Sequence, residues 1–173
     1  GGAHETKKMP VEQWQQFIQL CPYPVVLLGG PQDRDAGVRI AAADPGKVYN
    51  ACGKFSLNES ADLVRRAKVI VAHDTGLMHI AAAFQKPIVS IWGNTVPELG
   101  MFPYYGFNDL ETKIAAQSIM IHNDKARCSP CSKLGYDKCP KGHFKCMKKL
   151  HINENVAAVS KLWRAATQQE KNE

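Results

Sequence analysis

Short apolar runs alternate with amphipathic segments along the first half of this chain, and that alternation limits the fold more than any other feature of the sequence. Val25–Leu28 and Val69–Ala72 are continuous apolar runs, and Ile88–Trp92 is interrupted only by Ser90. Such runs are typical of parallel strands that are buried on both faces. The segments between them carry apolar residues at helical spacing. This alternation with short loops predicts an α/β domain with a Rossmann-like parallel sheet and helices on both faces.

Turn and capping residues set the predicted boundaries. Ser56 and Glu59 have the spacing of a capping box, and Pro45 with Gly46 ends the preceding helix. Residues 94–108 are rich in Pro, Gly and aromatic side chains, which predicts a structured loop. The predicted elements are helix 11–20, strand 25–28, helix 33–43, strand 47–52, helix 57–67, strand 69–72, helix 76–84, strand 88–92, strand 118–121 and helix 153–166.

Length and composition fit one globular domain. The chain has 173 residues, of which 45% are hydrophobic and 22% are charged, and domains of ~100–200 residues are common. Disordered, collagen-like and coiled-coil chains have other compositions. No apolar run approaches the ~18 residues that a membrane helix needs, and no signal peptide is visible. We therefore expect a single cytoplasmic domain over residues 1–173.

The positive charge of the chain is concentrated in one segment. The net charge is +6, and eight of the 22 Lys and Arg residues lie between Lys125 and Lys149, where Asp137 is the one acid. The rest of the sequence is close to neutral. A nucleic-acid binder that is basic over its whole length has a different pattern. The sequence therefore predicts a near-neutral domain that carries a Cys- and Lys-rich insert over residues 122–150.

Four of the six cysteines lie in this basic segment with the spacing C-x2-C-x7-C-x6-C. They are Cys128, Cys131, Cys139 and Cys146. The first pair has the spacing of a zinc knuckle, whereas the second pair is too widely spaced for a standard zinc ribbon. Four thiolates on Zn²⁺ would hold together a segment that has few apolar residues. Disulfides formed after purification, or free thiols packed beneath a loop, are the alternatives.

One motif follows the third predicted strand. Asp74, Thr75 and Gly76 lie where that strand ends and the next helix begins, and parallel sheets bind ligands beyond the carboxyl ends of their strands. Free N–H groups at a helix start, together with the helix dipole, bind phosphate. Gly76 has no Cβ to hinder an anion, and His79 lies one turn further on. The alternative is that Asp74 only caps the helix and His79 is an ordinary polar residue.

Two further candidates for a nucleotide site precede this motif. Gly29–Gly30 lets a ligand approach the end of the first strand, and Asp33 follows, where a carboxylate accepts hydrogen bonds from a ribose diol. Lys7 and Lys8 can neutralise a pyrophosphate. Helix capping by Asp33 and a solvated lysine pair are the alternatives. The sequence lacks Gly-x-Gly-x-x-Gly, so an NAD site is not expected.

Taken together, these motifs resemble those of glycosyltransferase family 9, the ADP-heptose:lipopolysaccharide heptosyltransferases. Asp74–Ala83 is similar to the signature of that family. Thr6–Pro10, Gly29–Asp33 and Gly53–Glu59 also resemble family segments and occur in the same order. The cysteine spacing resembles a pattern in part of the family. The resemblance covers nearly the whole chain.

The resemblance implies the second, donor-binding half of a GT-B fold, in which two Rossmann-like domains face each other across a cleft. It assigns Lys7 to the donor pyrophosphate, Asp33 to the adenosine ribose and Asp74 to the heptose. The remaining expected phosphate contacts are Thr75, Gly76 and His79. The other half of such an enzyme supplies most acceptor contacts and the catalytic base. No catalytic residue is therefore expected here, and this chain is not expected to transfer sugar alone.

The implied reaction moves heptose, or a related sugar, from an ADP-sugar to the lipopolysaccharide inner core of a Gram-negative bacterium. The motif needs no metal or other cofactor, because backbone N–H groups and Lys7 would stabilise the departing diphosphate. The acceptor is phosphorylated and attached to the membrane. The basic segment is therefore expected to meet acceptor phosphates or the anionic cytoplasmic face of the inner membrane, rather than nucleic acid.

Two other functions account for parts of the sequence. A zinc-stabilised nucleic-acid-binding module would explain the basic segment, but Tyr136 and Phe144 are the only aromatic residues of residues 122–150 that could stack on bases. A non-catalytic nucleotide-binding domain of the receiver or flavodoxin type would explain the sheet. It would not explain Lys7, Asp33 and the motif at Asp74 together.

Overall fold

The computed structural model of the protein describes residues 2, 4–106 and 116–171. The helices and strands that are described in full are, in chain order, α1 (Val11–Leu20), β1 (Val25–Leu27), α2 (Arg34–Ala41), β2 (Val48–Asn50), α3 (Leu57–Arg66), β3 (Ile70–His73), α4 (Gly76–Ala83), β4 (Ile88–Ile91), β5 (Ser118–Ile121), α5 (Lys145–Lys148) and α6 (Ile152–Glu170). Three short 3-10 turns span Glu5–Lys7, Pro31–Asp33 and Pro97–Leu99. Within the described ranges, no helix is long and apolar enough to cross a membrane.

The predicted helices and strands are confirmed, with their ends shifted by a few residues. The capping box is present: the Ser56 hydroxyl accepts a hydrogen bond from the Glu59 N–H at 3.3 Å, and the Glu59 carboxylate accepts one from the Ser56 N–H at 2.8 Å. The predicted loop over 94–108 contains the turn Pro97–Leu99, and its last two residues lie outside the described part of the chain. The short helix α5 was not predicted, because four residues carry no helical period.

The strands are all parallel, but they form two sheets where the alternation predicts one. β1 pairs with β2, with Val25 opposite Val48. β4 lies between β3 and β5, and Ile88 is opposite both Ile70 and Ser118. Among the described residues, no hydrogen-bonded ladder joins β1 to β3. An apolar cleft lies between these two strands instead.

Helices cover both faces of the strands, as the sequence predicts. The side chains of β4 are all buried and alternate between the faces. Val89 and Ile91 belong to a core cluster with residues of α1, α2 and α6. Ile88 belongs to a second cluster with residues of α3 and α4. The small side chains Ala81 and Ala82 are fully buried in that second cluster, so α4 lies close against the sheet.

The basic segment, residues 122–150, follows β5 and is largely irregular. All eight of its Lys and Arg side chains are exposed. Met147, by contrast, is fully buried and belongs to the core cluster of α1 and α6. The segment is therefore anchored in the domain core by its apolar residues. Its description as an insert stays a prediction.

The start of the chain is clamped to the basic segment. The Thr6 N–H donates to the Tyr136 carbonyl at 3.0 Å, and the Tyr136 N–H donates to the Thr6 hydroxyl at 2.7 Å. This reciprocal pair joins residues that are 130 positions apart in sequence. It fixes the turn Glu5–Lys7 beside the carboxyl ends of the strands.

Candidate functional site

A cavity of about 720 Å³ lies at the carboxyl end of β3. Its walls come from the N-terminal segment, the loop between β3 and α4, and the first turn of α4. Of the residues predicted to bind the donor, those that line this cavity are Lys7, Asp74, Thr75, Gly76 and His79. The structure therefore brings five of the six candidates to one place.

A buried ion pair forms the floor of the cavity. The Lys7 Nζ donates to the Asp74 carboxylate at 2.6 Å, and the side chains are 11% and 5% exposed. The Thr95 hydroxyl donates to the same carboxylate oxygen at 3.3 Å. Removing one partner of such a pair leaves an uncompensated buried charge, which is costly. Asp74 therefore holds the Lys7 ammonium at the cavity. The Asp74 carboxylate is in turn fixed by two hydrogen bonds, one from Lys7 and one from Thr95.

The first turn of α4 presents backbone donors to the cavity. Thr75 is the N-cap residue, and its side chain makes no capping hydrogen bond. Gly76 is exposed, and a Cβ added to it would meet no atom within 4 Å. Helix geometry leaves the first N–H groups without partners in the helix, and the dipole makes this end positive. An anion can therefore approach the start of α4 without a steric barrier.

Two histidines lie near this turn in different environments. His79 is exposed and lines the cavity. His73, the last residue of β3, is buried and accepts a hydrogen bond on Nε2 from the Met9 N–H at 2.9 Å. Burial is the largest cause that lowers the pKa of His73 to about 3, and nearby positive charges, that of Lys8 among them, lower it further. A neutral His73 thus positions the N-terminal segment. The one feature of the sequence that pointed to this role is the position of His73 at the end of a predicted strand.

Asp33 does not line the cavity. Its carboxylate turns back over the Gly29–Gly30 turn, where it accepts a hydrogen bond from the Gly30 N–H at 3.0 Å. The Lys8 Nζ lies 3.8 Å from the other carboxylate oxygen and also pairs with Glu5 at 2.6 Å. A Cβ on Gly29 would lie 2.8 Å from the Asp33 side chain, so a larger residue at that position would force Asp33 to shift. The local turn therefore uses this carboxylate, and its contact with a ribose stays a prediction.

The four clustered cysteines are free thiols. The Cys131 thiol donates to the Cys128 carbonyl at 2.9 Å, and the Cys128 sulfur lies 3.7 Å from His143 Nε2. Burial raises the pKa of Cys146 to about 11 and is the largest cause of the raised pKa of Cys131. Over residues 2, 4–106 and 116–171, no three His, Cys, Asp or Glu side chains are arranged to hold a metal ion. Zinc binding stays a prediction.

Comparison with known proteins gives consistent matches. A sequence model described as "Glycosyltransferase family 9 (heptosyltransferase)" matches residues 2–135. The lipooligosaccharide heptosyltransferase 2 of Haemophilus influenzae is 39% identical over 80 residues, which is 44% of this chain and 23% of that protein. The lipopolysaccharide heptosyltransferase 1 of Escherichia coli is 28% identical over 135 residues, or 75% of this chain and 41% of that protein.

Solved structures share the fold. The E. coli ADP-heptose lipopolysaccharide heptosyltransferase II matches with a TM-score of 0.67 and 24% identity. The match covers 98% of this chain and 45% of the E. coli chain. The dodecameric iron-containing heptosyltransferase TibC, solved with ADP-D-beta-D-heptose, matches with a TM-score of 0.53 and 16% identity. The match covers 86% of this chain and 48% of the TibC chain. The chain spans less than half the length of these relatives. Over the part that they share with this chain, these structures have the same architecture.

Proposed function

This chain belongs to glycosyltransferase family 9, the heptosyltransferase family, and we propose that it forms the half of such an enzyme that binds the nucleotide-sugar donor. One observation carries the proposal: the unobstructed start of α4 lies in the same cavity as the buried Lys7–Asp74 pair. Backbone donors and one lysine that converge on a cavity suit a diphosphate. TibC, a protein of the same fold, has been solved with an ADP-heptose.

The donor diphosphate would lie at the first turn of α4. The N–H groups of Thr75 and Gly76 would donate to phosphate oxygens, and His79 would approach from the cavity wall. The Lys7 ammonium has three N–H donors, and Asp74 uses one of them in this structure. The others would reach the pyrophosphate. Asp74 would then offer its carboxylate to hydroxyl groups of the heptose, and Asp33 would turn toward the adenosine ribose.

This arrangement would accelerate the departure of the diphosphate. Cleavage of the anomeric C–O bond places additional negative charge on the leaving ADP, while the sugar carbon becomes electron-deficient. Fixed N–H groups and Lys7 stabilise the leaving group more strongly in the transition state than in the bound donor. The base that deprotonates the acceptor hydroxyl would come from the other half of the enzyme. This chain alone would therefore bind donor without transferring the sugar.

The complete enzyme would add heptose, or a related sugar, to the inner core of lipopolysaccharide. The curated relatives are heptosyltransferases of lipopolysaccharide or lipooligosaccharide. We place the enzyme in the cytoplasm, at the inner face of the inner membrane. The exposed bases of residues 122–150 would contact acceptor phosphates or anionic lipids.

Vesicle binding tests the role of the basic segment. Replacing Lys141, Lys145 and Lys148 with Gln should lower both co-sedimentation with phosphatidylglycerol vesicles and the affinity for the acceptor, because these side chains are exposed. A matched control replaces Arg39, Lys54 and Arg65, which are exposed outside the segment. If the two triple variants bind vesicles and acceptor equally well, the basic segment has no such role.

Metal binding by the four cysteines needs a separate measurement. TibC is an iron-containing heptosyltransferase, and the four thiols of this chain lie in one segment. Elemental analysis of reduced protein for zinc and iron should find about one equivalent of metal if the thiolates converge when loaded. The proposed donor chemistry does not depend on the result.

Ligand titration tests the donor-binding proposal. We expect ADP and ADP-heptose to raise the thermal stability of the protein, by about 2.7 kcal/mol at a hundred times the Kd. A single-stranded oligonucleotide and FMN serve as controls for the two other functions considered above. Stabilisation by the oligonucleotide or FMN, with none by ADP ligands at millimolar concentration, would contradict the proposal.

A further inference from the structure

One further histidine, His4, lies on the wall of the cavity that the N-terminal segment forms. It is the N-cap residue of the turn Glu5–Lys7, and its carbonyl accepts a hydrogen bond from the Lys7 N–H at 3.1 Å. The side chains of His4 and Lys7 both line the cavity. The turn therefore presents an imidazole to the same cavity as the Lys7 ammonium.

The basic segment holds the His4 ring in place. A Cβ added to Gly135 would lie 2.8 Å from the His4 Cβ and 3.0 Å from its Cγ and Cδ2, so the ring packs directly on the backbone of this glycine. Gly135 also has a φ of +110°, a conformation that favours glycine. The clamp between Thr6 and Tyr136 fixes the backbone beside both residues. Gly135 therefore provides the space that the imidazole fills.

The two ring nitrogens of His4 have different surroundings. Nδ1 is buried without a hydrogen-bond partner among the described residues, and it lies 3.5 Å from the Asp137 carboxylate. That carboxylate is 87% exposed, so it can close on a protonated ring without a change in the fold. Nε2 is not among the buried unpartnered atoms of the described residues, so it is open to solvent. A carboxylate at Nδ1 favours the imidazolium form, which leaves the Nε2–H as a donor for a ligand.

Within the described part of the chain, the other charged side chains that line the cavity cancel. Lys7 pairs with Asp74 and Lys8 pairs with Glu5, each at 2.6 Å. A diphosphate is a polyanion, and these four residues offer it no net positive charge. A protonated His4 would supply such a charge, together with an N–H donor to a phosphate oxygen. The exposed His79 is the other imidazole on the described walls.

We propose that His4, as an imidazolium paired with Asp137, is a further binding residue of this site and contacts a phosphate of the nucleotide-sugar through Nε2. This inference rests on the proposed function, because it takes the occupant of the cavity to be an ADP-sugar. The observation that carries it is the place of His4 between an exposed carboxylate of the basic segment and the cavity that contains Lys7 and the open start of α4.

Titration calorimetry of the full-length protein with ADP tests the role of His4. His4→Gln keeps an N–H donor but carries no charge, so it should lower the affinity for ADP at least ~5-fold. The urea unfolding midpoint should not change, because the ring lies at the surface of the cavity. His4→Arg has a permanent charge and should restore most of the affinity. Equal ADP affinity in the parent protein and in His4→Gln would overturn the inference.

The pair of His122 and Asp124 provides the matched control. The His122 Nε2 lies 2.8 Å from the Asp124 carboxylate, and the described lining of the cavity includes neither residue. Both belong to the basic segment, as Asp137 does. His122→Gln should therefore leave the affinity for ADP unchanged. A loss as large as that of His4→Gln would assign the effect to the overall charge of the protein and overturn the inference.

Asp137 is a positioning residue in this proposal, because it acts through the ring. Asp137→Asn should lower the affinity for ADP about 2- to 5-fold in the parent protein. It should cause no loss in His4→Arg, which stays charged without the carboxylate. Equal losses in the two proteins would show a merely structural role and overturn the assignment of Asp137.

The same titrations separate this inference from the proposed function. If the parent protein does not bind ADP at millimolar concentration, the proposed function fails and this inference fails with it. If the parent protein binds ADP and His4→Gln binds it equally well, the proposed function stands and this inference alone is overturned.

Discussion

The buried Lys7–Asp74 pair allows a quantitative test of how the cavity floor is held. In the variant Lys7→Met, the aliphatic stem remains, but the Asp74 carboxylate, 5% exposed, loses its cation at 2.6 Å. Breaking a buried pair in this way costs about 3–5 kcal/mol. Urea m-values for domains of this size are about 2 kcal/mol per molar. The unfolding midpoint should therefore fall by about 1.5–2.5 M urea.

The neighbouring Lys8 provides the matched control. It pairs with Glu5 at 2.6 Å, where the Glu5 side chain is 66% exposed, and its Nζ lies further away, at 3.8 Å, from the Asp33 carboxylate; surface pairs such as the one with Glu5 contribute about 0–1 kcal/mol. Lys8→Met should therefore shift the unfolding midpoint by less than about 0.5 M urea. This limit is the upper value for a surface pair, about 1 kcal/mol, divided by the m-value. The measurement is equilibrium unfolding followed by tryptophan fluorescence.

A double variant separates buried charge from lost packing. Lys7→Met combined with Asp74→Asn removes both charges, so most of the lost stability should return. Equal midpoints for the Lys7 and Lys8 variants would refute the claim that the pair is buried and mutually dependent. A double variant as unstable as the sum of the single ones would refute it as well.

Three further predictions concern the helix start, a buried histidine and a cap. Gly76→Val should lower the affinity for ADP at least ~10-fold, because the added side chain projects into the open space where the anion would lie. For the same reason the stability of the fold should change little. Titration calorimetry measures the affinity, and Gly46→Val is the control. His73, with its pKa lowered to about 3, binds a proton only on unfolding between that value and ~6.5. Stability should therefore fall as the pH drops, by about 2 kcal/mol from pH 7.5 to pH 5. His73→Gln should remove that slope in urea unfolding curves, and an unchanged slope would contradict a buried neutral imidazole. Ser56→Ala should cost about 1 kcal/mol, because the Glu59 N–H loses its acceptor; thermal unfolding that matches the parent would contradict this.

The sequence predicted the features that depend on local pattern. Strand and helix positions followed from apolar periodicity, and the open start of α4 followed from a Gly at the first position of the helix after a strand. The pairing of Lys7 with Asp74 was beyond local pattern, because 67 residues separate them. Asp33 was assigned to a ligand, whereas in the structure its carboxylate is bonded to the Gly30 N–H. Sequence alone does not decide whether such a side chain hydrogen-bonds to its own turn or to a ligand.

The split between β1 and β3 also lay beyond sequence reasoning. Alternating strands and helices predict that strands are parallel, but they do not say which strands are neighbours. Apolar residues that line the cleft have the same sequence pattern whether they pack on each other or on another strand; Trp14, Val25 and Val71 are examples. The role of His73 as an acceptor for the Met9 N–H was likewise hidden, since the donor comes from a distant backbone.

The clamp between Thr6 and Tyr136 makes the cavity at the start of α4 and the basic segment mechanically dependent on each other. Lys7 follows Thr6 directly, and the two hydrogen bonds of 3.0 and 2.7 Å leave little freedom between them. A ligand that draws Tyr136 outward must also displace the backbone beside Lys7. Occupancy of the exposed lysines by a surface or a ligand would thus be transmitted to the Lys7 ammonium group at the cavity, along one residue of chain.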